Sequence, residues 1–202
     1  MKTSPALRLC TLGLALGLLA ATAGRTPADD KKVELQVGDA APVFNAKNEK
    51  DKTWSSSDHV GKKWVVIYFY PGDFTPGCTA QANAFKDGMN KLTDLGVEVV
   101  GVSGDSPDTH ALFRAAQKLD FTLLADEDGT VSKSFGVPFG PGGTVKAKGA
   151  DGKPFEFKRA GTAARWTFVI GKDGKVAYKN TKVNPALDAK AITEFITNAE
   201  KK

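Results

Sequence analysis

The residues with chemistry to offer stand close together. They are Pro71, Thr75, Gly77 and Cys78, within the run Tyr-Phe-Tyr-Pro-Gly-Asp-Phe-Thr-Pro-Gly-Cys-Thr from Tyr68 to Thr79. Before them lies a continuous apolar, β-branched and aromatic stretch; after them apolar residues recur at helical spacing. Cys78 is therefore expected just past a strand, in the first turn of a helix. A helix start offers unpaired backbone N–H groups and the positive end of the helix dipole. Both favour the thiolate over the thiol, and the thiolate is the nucleophilic form of cysteine. Thr75, three residues earlier, brings a hydroxyl within reach of the sulfur. Pro71 and Pro76 stiffen the loop and limit the access of water. A structural thiol needs none of this, so the pattern points to nucleophilic thiol chemistry.

The cysteine count sharpens the point. Only Cys10 and Cys78 are present. Lys2 and Arg8, the uncharged apolar run Leu9 to Ala20, and Ala21-Thr22-Ala23 follow the pattern of a secretory signal peptide. The apolar run is short for a membrane anchor, the alternative reading. Residues 1–23 are thus expected to be removed, leaving a single domain over 24–202, located in the periplasm or otherwise exported, with no stable membrane insertion. Cys10 leaves with the signal. A lone cysteine in an exported chain is a buried inert thiol, a bridge to another chain, or a reactive thiol. The setting of Cys78 selects the last.

The elements that must position this thiol follow from periodicity and breakers. Trp64 to Tyr70 and Val97 to Ser103 read as strands buried on both faces. Thr75 to Leu95 reads as a helix with Ala82, Phe85, Met89 and Leu92 on its apolar face and Gly96 as the stop. Ser106 caps a helix to about Leu119, with Pro107 at its first position. Phe121 to Leu124 is a short strand, and Gly129 to Phe135 one or two helical turns. Trp166 to Ile170 and Lys175 to Tyr178 are strands joined around Lys172-Asp173-Gly174. Asn184-Pro185 opens a last helix with Leu187, Ala191, Ile192, Phe195, Ile196 and Ala199 as its apolar face. Pro42 to Ala46 and Thr53-Trp54 are weaker strand candidates. The order implies an α/β architecture, with a central mixed β-sheet flanked by helices. Its middle strands are parallel and its late hairpin antiparallel. The Gly- and Lys-rich stretch from Gly136 to Ala164 reads as a long surface loop with room for a hairpin.

Composition excludes several classes. The chain has 202 residues, 41% of them hydrophobic, and a net charge of +5. It is neither disordered nor collagenous nor a coiled-coil rod. Its charges alternate in sign along the chain, which reads as a solvated face and not a nucleic-acid footprint. Gly140-Pro141-Gly142-Gly143 lacks the Lys-Ser/Thr of a phosphate cradle. Asp126-Glu127-Asp128-Gly129 begins like a calcium loop, but the later ligand positions do not follow, so it reads as a helix-start turn. His59 and His110 have no metal-ligating partner at a suitable spacing, and His110 is expected to cap or pack. No metal and no cofactor are expected.

Pro71-x-x-x-Thr75-x-x-Cys78 matches the peroxiredoxin signature. The wider text resembles the bacterioferritin comigratory protein and peroxiredoxin Q subgroup. The resemblance rests on Tyr68-Phe69-Tyr70-Pro71, Thr75-Pro76-Gly77-Cys78-Thr79, Gln81, Gly101-Val102-Ser103, Phe121 to Asp126, and Arg165-x-Thr167-Phe168-Val169-Ile170. It implies a thioredoxin-like fold and a thiol-dependent peroxidase acting on hydrogen peroxide and organic hydroperoxides. Cys78 then resembles the peroxidatic cysteine, and Thr75 the residue that hydrogen-bonds thiolate and peroxide. Arg165 resembles the arginine that stabilises the thiolate and orients the peroxide, and Pro71 the shield. The N–H groups of Gly77 and Cys78, with Arg165, would receive the charge that develops on the leaving oxygen. One departure stands out. Many members carry a resolving cysteine five residues after the first, where this chain has Asn83. The implied partner is an external thiol, either a thioredoxin-like protein or a small thiol, and the implied state a monomer or weak homodimer. Two rival readings remain. A thioredoxin-type thiol–disulfide oxidoreductase wants Cys-x-x-Cys, and Thr75 stands where its first cysteine would be. The other is a non-catalytic redox-sensing or binding module.

Overall fold

The computed structural model describes Met1 and residues 33–201. The expected signal segment and Cys10 lie outside the described residues. The elements run β1 (Asn45–Asn48), β2 (Thr53–Ser55), β3 (Trp64–Phe69), α1 (Pro76–Asp94), β4 (Val97–Ser103), α2 (Pro107–Gln117) and β5 (Thr122–Ala125). Then come α3 (Thr130–Ser134), β6 (Phe139–Lys148), β7 (Pro154–Ala163), β8 (Trp166–Ile170), β9 (Val176–Asn180) and α4 (Asp188–Ala199).

Seven strands form one sheet in the order β2-β1-β5-β4-β3-β8-β9. The central strands β3, β4 and β5 are parallel, and β1, β2, β8 and β9 join antiparallel. This is the mixed, helix-flanked α/β sheet that the element order implied. β3 is buried from Val65 to Phe69 because both of its faces are covered. Val65, Ile67 and Phe69 pack with Phe135 and Phe168 on one side. Val66 and Tyr68 pack on the other with Phe85 of α1, Phe113 of α2, and Ile192 and Ile196 of α4. Phe85 is fully buried, so truncation to Ala would cost about 3–5 kcal/mol.

Helix ends follow local chemistry. The Ser106 side chain accepts the Thr109 N–H and Pro107 opens α2. Asp126 accepts the N–H groups of Val131 and Ser132, both at 2.8 Å, so its acidic run does serve as a helix-start turn. Three expectations need correction. The first strand begins at Asn45 and not Pro42, because the Phe44 N–H donates to the Ser56 hydroxyl and is not part of the ladder. The last helix begins at Asp188. Asn184-Pro185 makes a turn before it, and Leu187 is 55% exposed, so the buried face is Asp188, Ala189, Ile192 and Ile196. The stretch from Gly136 to Ala164 is less a loop than the hairpin it had room for: β6 and β7 pair antiparallel from Phe139↔Ala163 to Lys148↔Pro154. Its signal was the period-2 alternation of β7, where Phe155, Phe157 and Arg159 turn inward and Glu156, Lys158 and Ala160 turn out.

Candidate active site

β3 ends at Phe69 and hands the chain to a loop from Tyr70 to Thr75, with Pro71 half-buried at its start. Thr75 has the extended backbone of an N-cap, but its hydroxyl donates to the Gly72 carbonyl at 3.1 Å, so no side chain caps α1. Pro76, first in the helix, contributes no N–H. The start of α1 is thereby left open toward Cys78, whose side chain is almost entirely buried.

Arg165 arrives from the opposite direction. β8 pairs antiparallel with β3 in the register Phe69↔Trp166, which sets Arg165 beside the loop that leaves β3. Its Nη2 donates to Cys78 Sγ at 3.1 Å. Gly77 makes room for this: a Cβ there would lie 3.3 Å from the same nitrogen. Arg165 Nη1 donates to Gln81 Oε1. Gln81 Nε2 and the Thr167 hydroxyl both donate to Asp188 Oδ2 at 2.7 Å. Burial pushes the Asp188 carboxyl up, against the pull of those two bonds and the Arg165 charge. Asp188 takes the Gln81 amide N–H, which turns the Gln81 carbonyl toward the guanidinium. The chain cysteine–arginine–glutamine–aspartate fixes where the cation sits.

The sequence-predicted residues Pro71, Thr75, Gly77, Cys78 and Arg165 are thus brought to one end of β3. Asp188 was not anticipated; its signal was an acidic residue on the inward face of the last helix, in line with Ala189, Ile192 and Ile196. His110 is fully buried, and its Nδ1 lies 2.8 Å from Asp73 Oδ2 within the same loop. His59 stacks on Trp54 and bonds Glu98, away from the thiol. Among the described residues, Cys78 is the only cysteine, and no three His, Cys, Asp or Glu side chains gather as a metal site. At the position five residues after Cys78, Asn83 donates to Gln117 Oε1 at 3.2 Å and accepts from Lys86. The arrangement presents a nucleophilic sulfur with a fixed cation and open N–H groups beside it. It suits attack on a bond whose leaving atom takes up negative charge.

Comparison with known proteins agrees with this geometry. Residues 37–179 match the AhpC/TSA family. The chloroplastic peroxiredoxin Q of Populus jackii is 48% identical over 115 residues, covering 57% of this chain and 54% of that protein. The chain spans little more than half the length of such curated relatives. The crystal structure of peroxidoxin BcpB from Mycobacterium tuberculosis superposes with a TM-score of 0.67 at 28% identity, over 82% of this chain and 98% of that one. The bacterioferritin comigratory protein of Xanthomonas campestris, described for its alkyl peroxide reduction activity, gives 0.64 at 28% identity, over 81% and 100%.

Proposed function

Because the chain belongs to the AhpC/TSA family, as a peroxiredoxin of the bacterioferritin comigratory protein and peroxiredoxin Q kind, we propose that it is a thiol-dependent peroxidase. Its thioredoxin-like fold carries one peroxidatic cysteine, Cys78. The observation that supports this best is the guanidinium of Arg165 on Cys78 Sγ at 3.1 Å, beside an uncapped helix start.

In the first step the Cys78 thiolate attacks one peroxide oxygen. An S–O bond forms and the O–O bond breaks. The leaving oxygen takes a proton and departs as water from hydrogen peroxide, or as an alcohol from an organic hydroperoxide. Cys78 is oxidised to sulfenic acid. Arg165 and the N–H groups of Gly77 and Cys78 stabilise charge on the leaving oxygen, the Thr75 hydroxyl oxygen accepts the peroxide proton while its own stays on the Gly72 carbonyl, and Pro71 shields the sulfur. Alkyl peroxide reduction, ascribed to the Xanthomonas relative, is the same chemistry with a larger leaving group.

Recycling uses an external thiol, because the described chain holds no second cysteine and Asn83 occupies the resolving position. The first thiol displaces water from the sulfenic acid to give a mixed disulfide, and a second releases Cys78. A thioredoxin-like protein or a small thiol fills this role. The signal-like residues 1–23 support function in the periplasm or another exported compartment, as a monomer or weak homodimer. Peroxide consumption by the purified protein with a small dithiol as reductant tests the reading. Turnover is expected; a reduced protein that leaves peroxide untouched overturns it.

A further inference from the structure

The loop that leads into α1 is gripped from outside the sheet. Asp73 is fully buried and each of its polar groups is engaged. Its N–H donates to Asp105 Oδ2 at 2.7 Å, and its carbonyl accepts from Arg159 Nη2 at 2.7 Å. Its carboxylate accepts the Tyr70 hydroxyl at 2.8 Å and pairs with His110 Nδ1 at 2.8 Å. Asp105 and Arg159 are in turn an ion pair, Nε to Oδ1 at 2.8 Å, with Asp105 fully buried and Arg159 7% exposed. One ion pair therefore holds both main-chain groups of a residue that lies two positions before Thr75 and five before Cys78.

Arg159 belongs to β7, in the two-stranded hairpin and not in the main sheet. Its approach is built into glycines. A Cβ on Gly72 would lie 2.0 Å from Arg159 Nε, and one on Gly104 would lie 2.3 Å from the Gly161 carbonyl oxygen. The Ala160 N–H donates to the Gly104 carbonyl at 3.1 Å. Phe74, in the left-handed region at φ 59°, meets Phe155 and Phe157 with ring centroids 5.2 and 6.0 Å apart. A buried ion pair is weak evidence for stability, since apolar replacements often serve as well. What a guanidinium supplies is direction: a planar fork holding two acceptors at fixed angles.

We propose that Arg159 is a positioning residue for the peroxidase reaction. Through Asp105 and the Asp73 main chain it aligns Thr75 and Cys78 with Arg165, while touching neither sulfur nor peroxide. The β6–β7 hairpin is then a brace for the catalytic loop. The activity readout rests on the peroxidase reading; the other two do not.

The test uses the reduced full chain with Arg159→Gln, Arg159→Lys and Asp105→Asn. Arg159→Gln is expected to lower the second-order rate constant with hydrogen peroxide by about 10- to 100-fold, the range that loss of alignment costs. It should also speed amide exchange across Gly72 to Thr75 while leaving β4 protected, and change the pH profile of Cys78 alkylation by iodoacetamide. Arg159→Lys should recover part of the rate. Asp105→Asn leaves one amide oxygen where the carboxylate served the Asp73 N–H, the Ser103 hydroxyl and Arg159 Nε, and it removes the charge opposite Arg159, so it loosens the same grip from the other side and should behave like Arg159→Gln. A folded Arg159→Gln protein with wild-type peroxide rate and exchange overturns the proposal. Should that variant not fold, a folded Asp105→Asn protein with wild-type values overturns it equally. If wild type itself ignores peroxide, the peroxidase reading fails, and alkylation and exchange still decide the role of Arg159.

Discussion

In the proposed reaction Cys78 and Arg165 act as a pair, and each makes a separable prediction. Cys78→Ser should abolish peroxide consumption with the fold intact, because a serine hydroxyl does not supply a thiolate at neutral pH. Residual consumption above about a tenth of wild type would remove Cys78 from the chemistry. Arg165→Met deletes the side-chain cation that, among the described residues, lies on the sulfur. It should slow the peroxide reaction by about tenfold or more, because a fixed cation no longer faces the charge that develops on the leaving oxygen. The second-order rate constant with hydrogen peroxide measures this, and a wild-type rate would dissociate Arg165 from the reaction. Pro71, Thr75, Gly77 and Cys78 were legible in the sequence because their roles depend on spacing along one loop. Arg165 came only through the family resemblance, since it is remote in the chain. Asp188, joined to Gln81 across the fold, and Asp105 with Arg159 were hidden for that reason: side-chain pairing between distant segments leaves no local period.

At the level of elements, α1 decides whether a thiol placed at position 83 could reach Cys78. Positions 78 and 83 lie in one helix, Pro76–Asp94. Five residues along a helix is about 7.5 Å of rise and well round the axis, too far for a direct disulfide. Asn83 is also tied to Gln117 at the end of α2, and Lys86 donates to the Gln117 carbonyl at 3.1 Å. An Asn83→Cys variant can therefore bridge only if the first turns of α1 unwind. If they do, an equimolar dose of peroxide should remove two hydrogens from the intact mass and protect against over-oxidation. Successive additions of oxygen would instead mean that α1 stays wound. Strands and helices around this segment were legible because β3, β4 and α1 are long and strongly patterned. The β6–β7 hairpin was legible only as room within a loop, because the glycines and lysines of the stretch masked the alternation of Phe155, Phe157 and Arg159.

For the molecule as a whole, the buried charges beneath the loop should set how stability follows pH. Burial by itself pushes the His110 imidazole down, but the charge and hydrogen bond of Asp73, with Asp105 behind it, carry it above its ordinary 6.5. Folded protein then keeps a proton that the unfolded chain gives up first. Stability is full below the ordinary imidazole value and declines as pH rises through the folded one. Asp105, pushed up by burial and then by the Asp73 charge, acts in the same direction at lower pH. The melting temperature should thus fall as pH rises above the ordinary imidazole value, and His110→Asn should flatten that slope; equal slopes in the two proteins would mean that His110 is not the proton carrier. The hairpin above this cluster has a consequence for descent. Its tip, from Gly149 to Gly152, lies beyond the Phe155 contact with Phe74, so insertions and deletions there leave the loop undisturbed. The six-residue step from Arg159 to Arg165 connects two anchors on one loop. Losing a single residue from it would carry one arginine to the wrong face, so lineages of this protein can drift freely in the length of the tip but not in the length of that step.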